Sequence, residues 1–273
     1  MSFLKFPNRA LTIAGFDPSG GAGVLADART FAAFGFAAAA AVTSVTFQNG
    51  SNVFGAEHQS GETVRAQVMP LVEAGGIVCS KSGMLPTRAI VLEVARLFRE
   101  TDLPRPVVDP VMRSSSGQRL MEESALEALI QELLPLAQLI TPNIPEAERL
   151  AGITITSEAG MRQAAAIIRE LGAPAVLIKG GHLVRRQEAL GSRQEAGEKA
   201  ANEYNEAIDV LDNQGTVTVF RERRISGGEL HGSGCILSAA IAAGLGKGKT
   251  LEDSVGAAKT FVFEAITEAS NGS

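Results

Sequence analysis

Two glycines and a serine stand directly before a cysteine and an apolar, alanine-rich run: Glu229-Leu-His-Gly-Ser-Gly-Cys235, then Ile236-Leu-Ser-Ala-Ala-Ile-Ala-Ala-Gly244. The run reads as a helix and the glycines as its approach. Glycine lets a backbone take positive φ and come close to a ligand. A helix start leaves unpaired N–H groups and carries partial positive charge. Gly232, Ser233 and Gly234 are therefore candidates for an anion site, suited to phosphate or to charge developing during phosphoryl transfer. Cys235 falls at the mouth of that site, where a helix N-terminus is expected to lower its thiol pKa. The alternative is a small, buried packing residue.

Further polar signatures follow short apolar runs. Gly15-Phe-Asp-Pro-Ser-Gly-Gly-Ala-Gly23 matches neither GxGxxG nor a P-loop, so it is a ligand loop or a plain strand–helix turn. Asp27 follows on the next helix, as a ligand acceptor or a solvated carboxylate. Thr46-Phe-Gln-Asn-Gly50 offers Gln48 and Asn49, paired amides fit for a heterocycle edge, in what is also an Asn-Gly turn. In Lys81-Ser-Gly-Met-Leu85, Met84 can pack on a flat ring or fill core. Asp109, in Val108-Asp-Pro-Val-Met112, and Glu146, in Thr141-Pro-Asn-Ile-Pro-Glu146, are hard oxygen donors. Mg²⁺ needs one or two such carboxylates, with water and phosphate completing its shell. Either carboxylate can instead cap a helix, Glu146 especially, because Pro145 suits a first helical turn. Asn143 can reach phosphate. Lys179, before Gly180-Gly-His182, can meet phosphate as a point charge or stay solvated.

A scaffold must deliver these residues, and the chain alternates short β-type runs with longer helical ones. Residues 10–15, 39–46, 77–80, 106–109, 138–141 and 175–179 read as strands, the second helix-ambiguous because of its alanines. Residues 25–34, 63–74, 87–99, 124–134 and 157–171 read as helices. Pro70 is expected to kink or shorten the second helix. The last carries an N-cap candidate at Thr156 or Ser157 and a stop at Gly172. This rhythm implies a mostly parallel sheet covered on both faces. Ligands then bind beyond the carboxyl ends of the strands, where the signatures fall in order. Runs 208–211 and 216–220 flank Asp212-Asn-Gln-Gly215, a hairpin signature. Residues 184–205 are polar, highly charged and without apolar periodicity, which predicts a mobile surface loop.

Bulk properties set limits. A chain of 273 residues fits one large domain or two small ones. Apolar residues make up 45%, enough for an extensive core. A net charge of −5 gives no nucleic-acid footprint, while local anion sites stay possible. The longest apolar runs fall far short of the ~20 residues of a membrane helix. The first residues lack a secretory pattern. Cys79 and Cys235 imply no disulfide framework, and the cytoplasm is the expected location. The scattered histidines and cysteines form no metal-ligand cluster.

As an ordered set, Ala14 to Asp27, Phe47-Gln-Asn49, Lys81 to Leu85, Asp109-Pro-Val-Met112, Thr141 to Glu146, Lys179-Gly-Gly-His182 and His231-Gly-Ser-Gly-Cys235 carry a resemblance. They resemble the ribokinase-like superfamily and, within it, the hydroxymethylpyrimidine kinase/phosphomethylpyrimidine kinase family of thiamine biosynthesis. The resemblance implies a three-layer α/β/α sandwich with a central, mostly parallel sheet, a single kinase domain over residues 1–273, and a homodimer. It implies ATP and Mg²⁺ as cofactors. It implies that Asp27 and Gln48 hydrogen-bond an aminopyrimidine, that Met84 packs on it, and that Gly15 and Val111 line the pocket. Asp109 and Glu146 would hold the metal and phosphate network, and Lys179 and Asn143 would serve ATP. Gly232, Ser233 and Gly234 would form the anion hole. Cys235 would stand where most ribokinase relatives carry a catalytic aspartate, as general base toward a hydroxymethyl group. The implied activity is phosphorylation of 4-amino-5-hydroxymethyl-2-methylpyrimidine and of its monophosphate. A pyridoxal/pyridoxine kinase of the same superfamily, and a non-catalytic nucleotide- or vitamer-binding regulator, are the alternatives. The chain departs from the family pattern at Phe16 and Pro18, where serines are usual, and at Ser19, where glycine is usual. Ser233 replaces a threonine, Arg113 stands where lysine is frequent, and residues 184–205 exceed the usual length.

Overall fold

The computed structural model describes residues 8–50, 52–181, 206–223, 225 and 230–271. The expected loop at 184–205, His182 and Glu229 lie outside the described residues. The strands are β1 (Arg9–Phe16), β2 (Ala37–Gln48), β3 (Val53–His58), β4 (Ile77–Ser82), β5 (Val107–Val108), β6 (Leu139–Ile140), β7 (Ala175–Lys179), β8 (Glu206–Asn213) and β9 (Thr216–Arg223). They join one nine-stranded sheet in the order β3-β2-β1-β4-β5-β6-β7-β8-β9. Pairing is parallel from β2 through β1, β4, β5 and β6 to β7. It is antiparallel for β2–β3, β7–β8 and β8–β9. The carboxyl ends of the parallel strands share one edge of the sheet, and that edge carries the polar signatures.

Alternation along the strands feeds two cores. Leu11, Ile13, Val108, Ile140, Val176 and Ile178 point to one face. There they meet helices α2 (Gly61–Glu73), α3 (Arg88–Glu100), α4 (Glu123–Ala128), α5 (Ile144–Ala151) and α6 (Glu158–Glu170). Ala10, Val107, Leu139, Ala175 and Leu177 point to the other face. That face is covered by α1 (Gly23–Ala33), α7 (Ser233–Gly246) and α8 (Leu251–Asn271). The three-layer α/β/α sandwich is thus the architecture. Helix α7 is buried along Leu237–Gly244 and packs between the sheet, α1 and α8. A helix apolar on every side must be covered on every side. Among the described residues no helix is long and apolar enough to cross a membrane.

Local chemistry sets the ends of the elements. Ser60, Thr87 and Ser157 cap α2, α3 and α6, each accepting a backbone N–H three residues on. Ser157, rather than Thr156, is therefore the cap of α6, and Gly172 follows its end at φ +117°. Pro70 neither breaks nor visibly shortens α2, because it stands in the last turn and Ala74 still donates to its carbonyl. The stretch read as one helix over 124–134 is α4, then a wide π turn at Leu129–Leu133 and a 3₁₀ turn at Leu134–Leu136 around Pro135. The β8–β9 hairpin turns through Gln214 (φ 53°) and Gly215 (φ 91°). Two positive φ values match the right-handed twist of the strands.

Candidate active site

Asp109 follows β5 directly and is 2% exposed. Its Oδ1 accepts from Lys179 Nζ at 2.9 Å, and Lys179 ends β7. Its backbone N–H donates to the Ser82 carbonyl at the end of β4, which fixes the turn. Thr141, after β6, adds a 3.4 Å contact to Oδ1. Burial pushes Asp109 up. The Lys179 and Lys81 ammoniums, with hydrogen bonds from Lys179 and the Cys235 thiol, outweigh it and hold the carboxyl below its usual range. Lys179 is anchored in turn by its neighbours: the N–H of Gly180 donates to Asp209 Oδ1, and Asp209 pairs with Lys259 of α8 at 2.6 Å.

Glu146 faces the same lysine from α5. It accepts from the N–H of Asn143 at 2.8 Å, while Asn143 Oδ1 accepts from the N–H of Glu146 at 2.9 Å. This reciprocal pair is a capping box. The Asn143 side-chain oxygen is thereby committed to the helix start, so a direct phosphate contact through that atom, open in the sequence, gives way to capping. Burial pushes Glu146 up, Lys179 pulls it down, Asp109 pushes it up, and the N–H groups of Asn143 and Met112 pull it down. The balance is a pKa of about 7. A raised folded-state pKa means that the stability contribution of this group is complete below its unfolded value near 4.5. It is lost as pH rises toward about 7. Glu146→Gln keeps an acceptor for the Asn143 N–H, gives up the weaker 3.4 Å contact from the Met112 N–H, and removes the charge. It is expected to match the wild type near pH 4 and to be more stable by about 1–3 kcal/mol above pH 7.5, read by urea unfolding. A wild type equally stable at both ends relative to the variant would contradict this placement.

The α7 start meets this cluster. Gly232 is its N-cap at φ +79°, and a Cβ there would lie 2.1 Å from the Gly21 carbonyl oxygen. Only glycine fits both constraints. A Cβ on Gly234 would approach Lys179 Nζ to 3.1 Å, so the lysine lies against the bare backbone of the turn. The Ser233 N–H donates to Leu230 O, which narrows the first-turn donors able to face an anion to Gly234 and Cys235. Cys235 is half-buried. Its expected low pKa is corrected here. Burial pushes the thiol up, Lys81 pulls it down, Asp109 and Asp27 push it up, and the Gly23 N–H pulls it down. The outcome is about 12. Desolvation and two carboxylates outweigh the helix start.

Asp27 is also corrected. It lies at 0% exposure on the α1 face that buries Val24 and Phe31. Its oxygens accept from Lys81 Nζ at 2.8 Å each and from Thr12 Oγ1 at 2.6 Å. The pair sits beneath Cys235 and Asp109 instead of presenting a carboxylate to a heterocycle. Burial pushes Lys81 down, but Asp27, Cys235 and Asp109 outweigh it and hold the ammonium above the usual lysine range.

On the acceptor side, Gly15 and Met84 meet: a Cβ on Gly15 would stand 2.9 Å from Met84 Sδ. Met84 also lines a cavity of about 480 Å³ with Val53, Ala56, Pro86, Leu120 and Met121. Gln48 closes β2 in register with Val53. The N–H of Val111 donates to the Asp109 carbonyl at 2.9 Å. Asp109, Glu146, Lys179 and Cys235 stand apart from that cavity, whose size suits a small flat molecule. The structure thus brings Asp109, Glu146, Lys179, Gly234 and Cys235 together, with Gly15 and Met84 as a second group. Sequence reasoning missed Lys81, Asp17, His231 and Thr141 as members of the network. Lys81 carried a readable signal: a lysine in the interior run of a central strand requires a buried carboxylate.

Strand-end carboxylates and lysines, a glycine loop and a helix start over a doubly covered sheet define a ribokinase-like phosphotransferase fold. Residues 17–272 match the family model described as phosphomethylpyrimidine kinase, and the chain belongs to that family. It is 38% identical over 261 residues to the hydroxymethylpyrimidine/phosphomethylpyrimidine kinase of Streptomyces coelicolor, covering 96% of this chain and 89% of that one. The crystal structure of the Clostridium difficile phosphomethylpyrimidine kinase superposes with a TM-score of 0.77 at 36% identity, covering 95% and 99% of the two chains. The Staphylococcus aureus pyridoxal kinase, in complex with AMP-PCP and pyridoxal, superposes at 0.79 with 29% identity, covering 95% and 87%.

Proposed function

We propose that this chain transfers a phosphoryl group from ATP to the hydroxymethyl group of 4-amino-5-hydroxymethyl-2-methylpyrimidine, and then a second to the resulting monophosphate. The observation that carries the reading is the meeting of the Cys235 thiol, the bare turn at Gly234 and the Asp109–Lys179 pair at one point of the sheet edge. Gly15, Gln48, Met84 and Val111 form the acceptor side. Lys179 serves the nucleotide, with Asn143 shaping the turn beside it. Gly232, Ser233 and Gly234 shape the anion turn, and Cys235 handles the hydroxyl proton. Two buried carboxylates sharing one lysine, one of them pushed up for want of countercharge, suit a hard cation. Among the described residues no three His, Cys, Asp or Glu side chains are placed to hold a metal ion by themselves. Asp109 and Glu146 would therefore hold magnesium, with phosphate and water completing its shell. Bound there, the ion supplies charge neutralisation for the transferring group. The chain's own part is to orient the reactants and exclude water.

A cytoplasmic homodimer with one kinase domain per chain completes the reading. The exposed Phe47 on β2 and Phe54 on the edge strand β3 support the dimer. The test is an ATP/Mg²⁺ assay with mass detection, run with the pyrimidine, its monophosphate and pyridoxal in parallel. Mono- and diphosphate from the pyrimidine are expected. Product from pyridoxal alone would move the chain to the activity of its second structural relative.

A further inference from the structure

One partly buried polar link at the site has no part in the chemistry above. His231 precedes the Gly232 turn, and its ring reaches two other segments. Nε2 lies 3.1 Å from Asp17 Oδ2, inside the glycine loop. Nδ1 lies 3.3 Å from Ser115 Oγ, in the segment that follows Asp109. Asp17 is 1% exposed and organises the loop: it accepts from Ser19 N at 2.8 Å, Ser19 Oγ at 2.7 Å and Ala22 N at 2.9 Å. The loop passes so near the ring that a Cβ on Gly21 would stand 2.2 Å from His231 Cδ2. Beyond it, the Gly23 N–H faces the Cys235 sulfur.

The roles of the ring nitrogens follow from the partners. An ionised Asp17 only accepts, so Nε2 carries a hydrogen. The Ser115 hydroxyl can donate to Nδ1 of a neutral ring or accept from a protonated one. Both contacts persist in either state, so the link is a fixed tie and not a pH switch.

We propose that His231 is a positioning residue for phosphoryl transfer: its ring ties the glycine loop on the acceptor side to the anion turn, and thereby sets the acceptor hydroxyl against Cys235. The proposal rests on the kinase reading above and deepens it. Phosphoryl transfer draws on positioning more than on covalent chemistry, and a displacement near 1 Å costs on the order of 10²-fold in rate.

The experiment compares the wild type with His231→Ala, His231→Gln, Asp17→Asn and the His231→Ala/Asp17→Asn double variant. Four quantities are read: kcat and KM for the pyrimidine, Kd for a fluorescent ATP analogue, and the iodoacetamide alkylation rate of Cys235 by mass spectrometry, with buried Cys79 as the control for folding. His231→Ala is expected to lower kcat/KM for the pyrimidine about 10–100-fold. The same variant is expected to leave the ATP-analogue Kd within about 3-fold and to speed Cys235 alkylation. Gln, whose amide NH₂ reaches the Nε2 position, is expected to restore most of the rate. Asp17→Asn also takes an acceptor from the Ser19 or Ala22 N–H, so the double variant is expected to be no slower than Asp17→Asn, in which the His231 link is already broken. Wild-type turnover and unchanged Cys235 alkylation in His231→Ala would overturn the proposal. So would a loss that Gln does not restore while Cys79 becomes reactive, since that pattern is general unfolding. A wild-type chain inactive on every pyrimidine would sink the substrate reading instead. The alkylation comparison then decides the positioning role alone.

Discussion

Cys235→Ala is expected to lower kcat by about 10²–10⁴-fold, the range for losing a general acid–base group, while ATP-analogue affinity stays within about twofold. The geometry gives the expectation a particular form. At neutral pH the thiol keeps its proton in the ligand-free protein, since burial and two carboxylates push it up to about 12. That thiol faces Asp109, which is held below the usual carboxylate range and is therefore ionised. Cys235 is thus not a standing thiolate. It can take a hydroxyl proton only as its own proton passes toward Asp109, or as the negative charge around it falls. The thiolate absorbance near 240 nm should show no step below about pH 10 in the free wild type, whose two thiols are both pushed up to about 12. Asp109→Asn removes one of the charges that push Cys235 up, so a step should then appear at lower pH. A wild-type thiolate titrating below pH 8 would contradict the arrangement. A Cys235→Ala variant as fast as the wild type would remove the thiol from the reaction.

The distance between expectation and outcome at Cys235 shows where a sequence stops being legible. Glycines before an apolar run announce a helix start, because backbone conformation is local chemistry. A thiol pKa depends on what lies across the site, and Lys81, Asp109 and Asp27 arrive there from β4, the end of β5 and α1. The parallel strands were readable because short apolar runs between turn signals have few other uses. Edge strand β3, Val-Phe-Gly-Ala-Glu-His, was not readable: it carries a glycine and leaves Phe54 72% exposed, so no alternation marks it. Helix α8 likewise went unread, although its first turn carries Glu252 and Asp253 as a helix start should. Glu146 illustrates a case with both answers. Pro145 and the Asn143 spacing announced a cap, and the cap exists, yet the same carboxylate also faces Lys179. Asp27 carries a legible signal. With Val24 and Phe31 it shares one face of α1 at spacings of three and four, which is the buried face.

Lys81→Met is expected to destabilise the fold by about 3–5 kcal/mol, because it strands the fully buried Asp27 carboxylate without its countercharge. Asp27→Asn should cost a comparable amount by stranding the ammonium. The double variant Asp27→Asn/Lys81→Met removes both charges and keeps an acceptor for the Thr12 hydroxyl. It should recover most of the loss in urea unfolding. Two single variants that each cost less than about 1 kcal/mol would show that the pair is not isolated from water as the structure has it. The double variant also separates two reasons for the pair to exist. Two charges taken out of water contribute little net stability compared with neutral groups of similar size. The fold therefore does not need Lys81 for itself. What the lysine adds is a fixed positive charge beneath Cys235 and Asp109, where the hydroxyl oxygen losing its proton and the phosphoryl group place negative charge. A double variant as stable as the wild type but slower in turnover, with ATP-analogue affinity retained, would assign the pair to the chemistry. A double variant with unchanged turnover would assign it to packing alone.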